Sequence, residues 1–265
     1  MKRTPPVNVR RYLRQEVGFG CPVPGCGNPF LSWHHFDPPW RVRHHHNRRG
    51  MIALCQTHHP QADNGAFTNE QLQEFKKTAK ERNIEIKGQF EWMRRRLLVV
   101  IGGNFYEDPF VIFEIGGQRI LWFDRDEQNY FLLNLQMLTI SHEARMRIEN
   151  NDWTEKGTPE DLETPPSGKK LHAKYKSGDI LEVNFIELSE DLAQTRYPTA
   201  KLTERGITFP VTGVEIQMRV GGANIEFGPM HITFRSLTMQ NNFFRGAGVV
   251  LSIGDTLRSL GLRTG

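Results

Sequence analysis

Cysteine is scarce in this chain, with three residues in 265, and all of them lie between positions 21 and 55. An odd number clustered in one short stretch excludes a self-contained disulfide framework. Long apolar runs are missing as well. No stretch approaches the ~18 consecutive apolar residues that a membrane-spanning helix needs, and the opening MKRTPPVNVRRYLRQ has charge without an apolar core. A cytoplasmic protein with no membrane partner is therefore expected. The length allows two modest domains whose cores need no cross-links.

What is present is concentrated in CPVPGCGNPFLSWHHFDPPWRVRHHHNRRGMIALCQTHH, from Cys21 to His59. Cys21 and Cys26 flank Pro-Val-Pro-Gly, a composition that turns a chain tightly enough to aim two sulfurs at one point. Cys55 and His58 are two residues apart. Two such pairs satisfy the four-coordinate preference of structural zinc, so Cys21, Cys26, Cys55 and His58 are read as a closed Zn²⁺ site. His34, His35, Asn47 and His59 remain outside it.

Paired cysteines, a His-His doublet, a polar Asn position and Leu54-Cys55-Gln56-Thr57-His58-His59 resemble the zinc-knuckle form of the HNH endonucleases. The resemblance covers about the first 85 residues. It implies a small ββα-metal unit that hydrolyses phosphodiester bonds, with His35 as the general base and His34 and His59 as ligands of one catalytic Mg²⁺ or Mn²⁺. Asn47 is the family's middle position by residue type, but it lies eight residues before Cys55; at the usual spacing of five stands Gly50. Asn47 or one of His44, His45 and His46 is thus left to complete the site.

Charge divides with the motif. Residues 1–97 hold 17 Lys and Arg against 8 Asp and Glu, a balance of +9, whereas the remainder holds 17 against 22. Such asymmetry suits a partner with a phosphate backbone, DNA being the leading case. Arg41, Arg43, Arg48 and Arg49 are candidate phosphate contacts, and Arg10, Arg11 and Arg14 could form a basic arm. Trp40 to Arg43 reads as a strand or a rim. The alternative function is a zinc-stabilised nucleic-acid-binding regulator without turnover.

Thr68 and Gln71 predict a capping box opening a helix, with Leu72, Phe75 and Ala79 facing inward and Lys76, Lys77, Lys80 and Arg82 facing solvent. Arg94-Arg95-Arg96 is either a phosphate contact or a charged hinge. From Leu98 onward, short apolar runs separated by Gly-Gly and Asp-Pro predict strands. Glu149 to Lys170 reads as a long exposed loop. The expected fold class is α+β, with a ββα-metal domain at 1–97 and a mostly antiparallel, sandwich-like β domain at 98–265. The second domain is expected to regulate, target or dimerise the first and to hold no second active site.

Overall fold

A computed structural model describes residues 1–81, 85–246 and 248–264. The fold is α+β, with many strands, few helices and open sheets. Two compact units form, Met1–Gly88 with Pro159–Leu171, and Gln89–Thr158 with His172–Gly265. No helix among the described residues is long and apolar enough to cross a membrane.

The first unit begins with helix α1, Val7–Glu16. Leu13 and Val17 recur at helical spacing and are buried. Strands β1, Leu31–His35, and β2, Met51–Cys55, form an antiparallel hairpin in which Ser32 faces Leu54, His34 faces Ile52 and His35 faces Met51. All five residues of β2 are buried, which accounts for its unbroken apolar sequence. Helix α2, His58–Asp63, follows directly, and then helix α3, Asn69–Thr78. The capping box on α3 is present: Thr68 Oγ1 accepts from Gln71 N (3.2 Å) and Gln71 Oε1 accepts from Thr68 N (2.9 Å). A cap of this kind is worth about 1 kcal/mol. Leu72 and Ala79 enter the core formed by α1 and the hairpin, with Phe75 packed against it.

Lys76 departs from the expected solvent face. It is buried, pairs with Glu16 (3.1 Å) and donates to Arg48 O (2.9 Å). Burial lowers its pKa, while Glu16 opposes that shift. Its position on α3 is apolar-facing, and a long aliphatic stem reaches polar partners across the core edge. Arg82 lies outside the described residues.

The expected loop over 149–170 is also corrected. Arg147–Glu149 and Asp152–Thr154 pair as a hairpin whose turn places Asn150 and Asn151 at φ of 51° and 72°. Asn tolerates that left-handed conformation, so Asn-Asn was a hairpin signal inside a polar run. Further on, Asp161–Glu163 forms a strand belonging to the first unit. There Asp161 takes Arg14 (2.8 Å) and Arg11 (3.0 Å), and Glu163 takes Arg10 (3.4 Å). The basic arm is therefore a helix whose three arginines are neutralised within the unit. They are not left to grip phosphate.

In the second unit, Val111–Ile115, Gln118–Arg125, Phe131–Gln136, Arg147–Glu149 and Asp152–Thr154 run as an antiparallel meander, to which Val249–Ile253 adds in parallel. A second sheet is centred on Val211–Val220, antiparallel to Ile180–Leu188 and parallel to Leu97–Ile101. Phe243–Arg245 also pairs in parallel, with Asn104–Glu107. Among the described residues antiparallel pairing dominates, and these additions are parallel. Arg94, Arg95 and Arg96 bond Thr212 (2.7 Å), the carbonyl of Gln128 (3.1 Å) and Glu107 (3.9 Å), so the triplet is engaged inside this unit.

Candidate metal centres

Cys21 and Cys26 sit in a tight turn before β1. A side chain at Gly20 would place its Cβ 2.6 Å from Gly27 O, so glycine is required for the chain to close on itself there. Cys55 ends β2 and His58 begins α2, which brings the second pair to the same point. Cys21 Sγ lies 3.4 Å from His58 Nδ1, Cys55 Sγ lies 3.3 Å from the same atom, and Cys26 and Cys55 sulfurs are 3.8 Å apart. A disulfide needs ~2.05 Å. The edges of a tetrahedron around an ion with ~2.3 Å bonds to sulfur and ~2.0 Å bonds to nitrogen are about 3.8 and 3.5 Å. The four side chains are thus close enough to hold a metal ion such as zinc. Burial raises the pKa of Cys21 and Cys26; the Cys55 sulfur raises that of Cys26 further, while a backbone hydrogen bond from Cys55 opposes the rise at Cys21. Three thiolates are stable together here only around a cation.

His34, His59 and Asp63 form a second cluster of possible ligands. Asp63 Oδ1 is 3.0 Å from His34 Nδ1, and Oδ2 is 3.6 Å from His59 Nε2. Helix α2 places His59 and Asp63 four residues apart on one face, a spacing that carries both toward β1. Ser32 then fixes the His59 ring. Its hydroxyl donates to Leu54 O (3.1 Å) and so accepts from His59 Nδ1 (2.6 Å). That order of donors puts the proton on Nδ1 and leaves Nε2 as a lone-pair donor, buried and without a hydrogen-bond partner. Burial lowers the pKa of both His34 and His59, against the pull of Asp63, so the rings favour the neutral, ligating form.

His35 follows His34 on β1, where neighbouring side chains point to opposite faces. The strand ends at His35, and the chain turns through residues 37–42, which form a turn where a strand was one reading of Trp40 to Arg43. Both histidines consequently line one cavity of about 410 Å³, whose wall also includes Arg3, Trp40, Arg41 and Asp63. The His35 ring packs against Trp40 at 4.7 Å and edge-on against His45 at 5.2 Å. It is 3% exposed, and neither ring nitrogen makes a hydrogen bond. Burial, followed by the neighbouring His45 and His46, pushes its pKa down to about 4.

Asn47 is not drawn into either cluster. It is exposed, and its Oδ1 accepts from Arg49 N at 3.2 Å to cap a short turn. His45 takes the bracing role instead: Nε2 donates to Pro38 O (2.8 Å) and Nδ1 accepts from Asn47 N (3.0 Å). The same packing explains Gly50, where a Cβ would fall 1.7 Å from Asp37 O and 3.3 Å from the His45 ring. No side chain fits at the spacing where the resembled family carries Asn.

Of the four candidate phosphate contacts only Arg41 lines the cavity. Arg43 and Arg49 are exposed away from that wall, and Arg48 lies over the Tyr12 ring at 4.1 Å. Asp63 and Arg3 are the residues that sequence reasoning missed. The spacing of Asp63 from His59 was a usable signal, obscured by the turn-like Pro-Gln-Ala-Asp-Asn-Gly around it.

Comparison with protein-family models, curated proteins and solved structures finds no match to this chain. Two donor sets distinguish the first unit. One is closed and rich in sulfur; the other has two imidazoles and a carboxylate beside an open cavity.

Proposed function

We propose that the first unit is a metal-dependent endonuclease of the HNH kind, hydrolysing phosphodiester bonds of nucleic acid, with DNA as the first substrate to test. What supports this most is the presence of two distinct donor sets on one hairpin, the turn before it and the helix after it, the second sharing its cavity with a histidine that makes no hydrogen bond. A zinc knuckle that only braced the fold would need the first set alone.

Zn²⁺ suits the three sulfurs and one imidazole. For the second set, Mn²⁺ fits better than Mg²⁺, because Mg²⁺ favours an all-oxygen shell and imidazole favours later divalent ions. A cation held there supplies charge stabilisation to the scissile phosphate and the leaving oxygen. His35, neutral at pH 7, accepts a proton from water. The water oxygen bonds to phosphorus as the P–O3′ bond breaks, and the leaving 3′ oxygen takes a proton from solvent, giving a 5′-phosphate and a 3′-hydroxyl. His45 and Trp40 hold the His35 ring in the orientation this transfer needs.

Incubation of the purified protein with supercoiled plasmid and Mn²⁺ is expected to give nicked circles. His35→Ala should slow nicking by ~10²- to 10⁴-fold, the usual contribution of a general base, while elemental analysis still finds one zinc per chain. Retention of DNA without nicking in either Mn²⁺ or Mg²⁺ would replace this reading with the zinc-stabilised binding module.

A further inference from the structure

We infer that Arg3 and Arg41 form a two-armed clamp for a phosphodiester of the substrate at the mouth of the His34–His35–Asp63 cavity. The identity of the ligand rests on the nuclease reading; the preference for an anion does not. Both arginines line the cavity and both are exposed. Among the described residues neither side chain has an ion-pair or hydrogen-bond partner, whereas Arg10, Arg11 and Arg14 on the next helix are all committed to Asp161 or Glu163. Arg43 and Arg49 are likewise exposed and without an ion pair among the described residues, but of these free guanidiniums only Arg3 and Arg41 line the cavity.

The charges around that opening are unequal. Asp63 is the single acidic side chain on the wall, against two guanidiniums, so the cavity is positive even with its imidazoles neutral. A divalent cation on His34, His59 and Asp63 makes it more so. A cavity of about 410 Å³ lies in the range of small-ligand sites, roughly 300–1,000 Å³. Guanidinium offers paired donors that match two oxygens of one phosphate, and two such groups on one rim orient it while leaving the phosphorus facing inward. Arg3 and Arg41 are in this sense positioning residues for a chemistry carried by others.

The test separates this clamp from the hydrolytic reading. A fluorescein-labelled ten-nucleotide single strand and its duplex are titrated across a salt series by anisotropy, on a His35→Ala background with Mn²⁺ present. Arg3→Ala and Arg41→Ala should each weaken binding by about 5- to 10-fold and reduce the slope of log affinity against log salt by about one. Arg3→Lys should keep the slope and lose part of the affinity, since charge survives and the paired donors do not. Arg43→Ala, exposed but off the cavity wall, should change binding by less than about 2-fold. On the parent background, the two alanine variants should raise KM more than they lower kcat. Equal losses at Arg3, Arg41 and Arg43 would overturn the clamp in favour of a diffuse basic surface. Cleavage and binding unaffected by Arg3→Ala and Arg41→Ala would overturn it while leaving the nuclease reading intact. Binding that depends on both arginines, without cleavage in any cation, would uphold the clamp and remove the hydrolysis.

Discussion

Each unit of this protein buries a cluster of polar side chains, and the two clusters are finished to different degrees. In the second unit Asp179 is fully buried and accepts from Arg145 Nε (2.7 Å), Thr139 Oγ1 (2.7 Å), Ser177 Oγ (2.8 Å) and Gly221 N (2.8 Å). Glu155 and Tyr175 close a neighbouring bond of 2.6 Å. In the first unit His59 Nε2 and both ring nitrogens of His35 are buried without a hydrogen-bond partner. Buried polar groups are nearly always satisfied, because leaving one bare costs about 1–3 kcal/mol. A satisfied cluster holds a fold together; an unsatisfied one beside a cavity costs the fold stability and leaves its lone pairs free.

The contrast can be broken in three places. Asp179→Ala should have the largest effect, about 3–5 kcal/mol lost from the second unit, since Arg145 is left as a buried unpaired charge. Urea denaturation followed by the near-ultraviolet signal of the buried Trp153 measures it. Ser32→Ala should cost the fold no more than about 1–3 kcal/mol and weaken Mn²⁺ binding by ~10- to 100-fold, because the His59 tautomer is no longer fixed. Isothermal titration with Mn²⁺ is the readout, and unchanged affinity would show that Ser32 does not orient the ligand. His35→Leu should be the smallest, within about 1 kcal/mol of the parent and on the stabilising side, since an unsatisfied ring gives way to an apolar side chain of similar reach. A thermal midpoint several degrees lower would mean that His35 belongs with the finished cluster after all.

What could be read directly from the sequence was local. Cys21, Cys26, Cys55 and His58 are near one another in the chain or sit at the ends of one hairpin, so their spacing reported their meeting. The same holds for the capping box at Thr68 and Gln71, where two side chains three residues apart answer each other. His34 and His59 were paired only through the family resemblance; in the structure a strand and the helix following its partner bring them together. Distant pairing left no such trace. The acids that silence Arg10, Arg11 and Arg14 lie about 150 residues downstream, and their segment looked like a polar loop. Nor did residue type alone disclose that His45 would brace the turn in place of Asn47, since that choice depends on the close approach of Gly50 to Asp37.

Helix α2 gives the two centres a common mechanical fate. His58 reaches the sulfurs while His59 and Asp63 reach His34, and the first two are joined by one peptide bond. Any tilt or unwinding that lets go of the thiols moves the opposite ligands by the same stroke. Were each donor set to hold an ion, the two would then be gained and lost as a pair, and an oxidant acting on sulfur alone would release both.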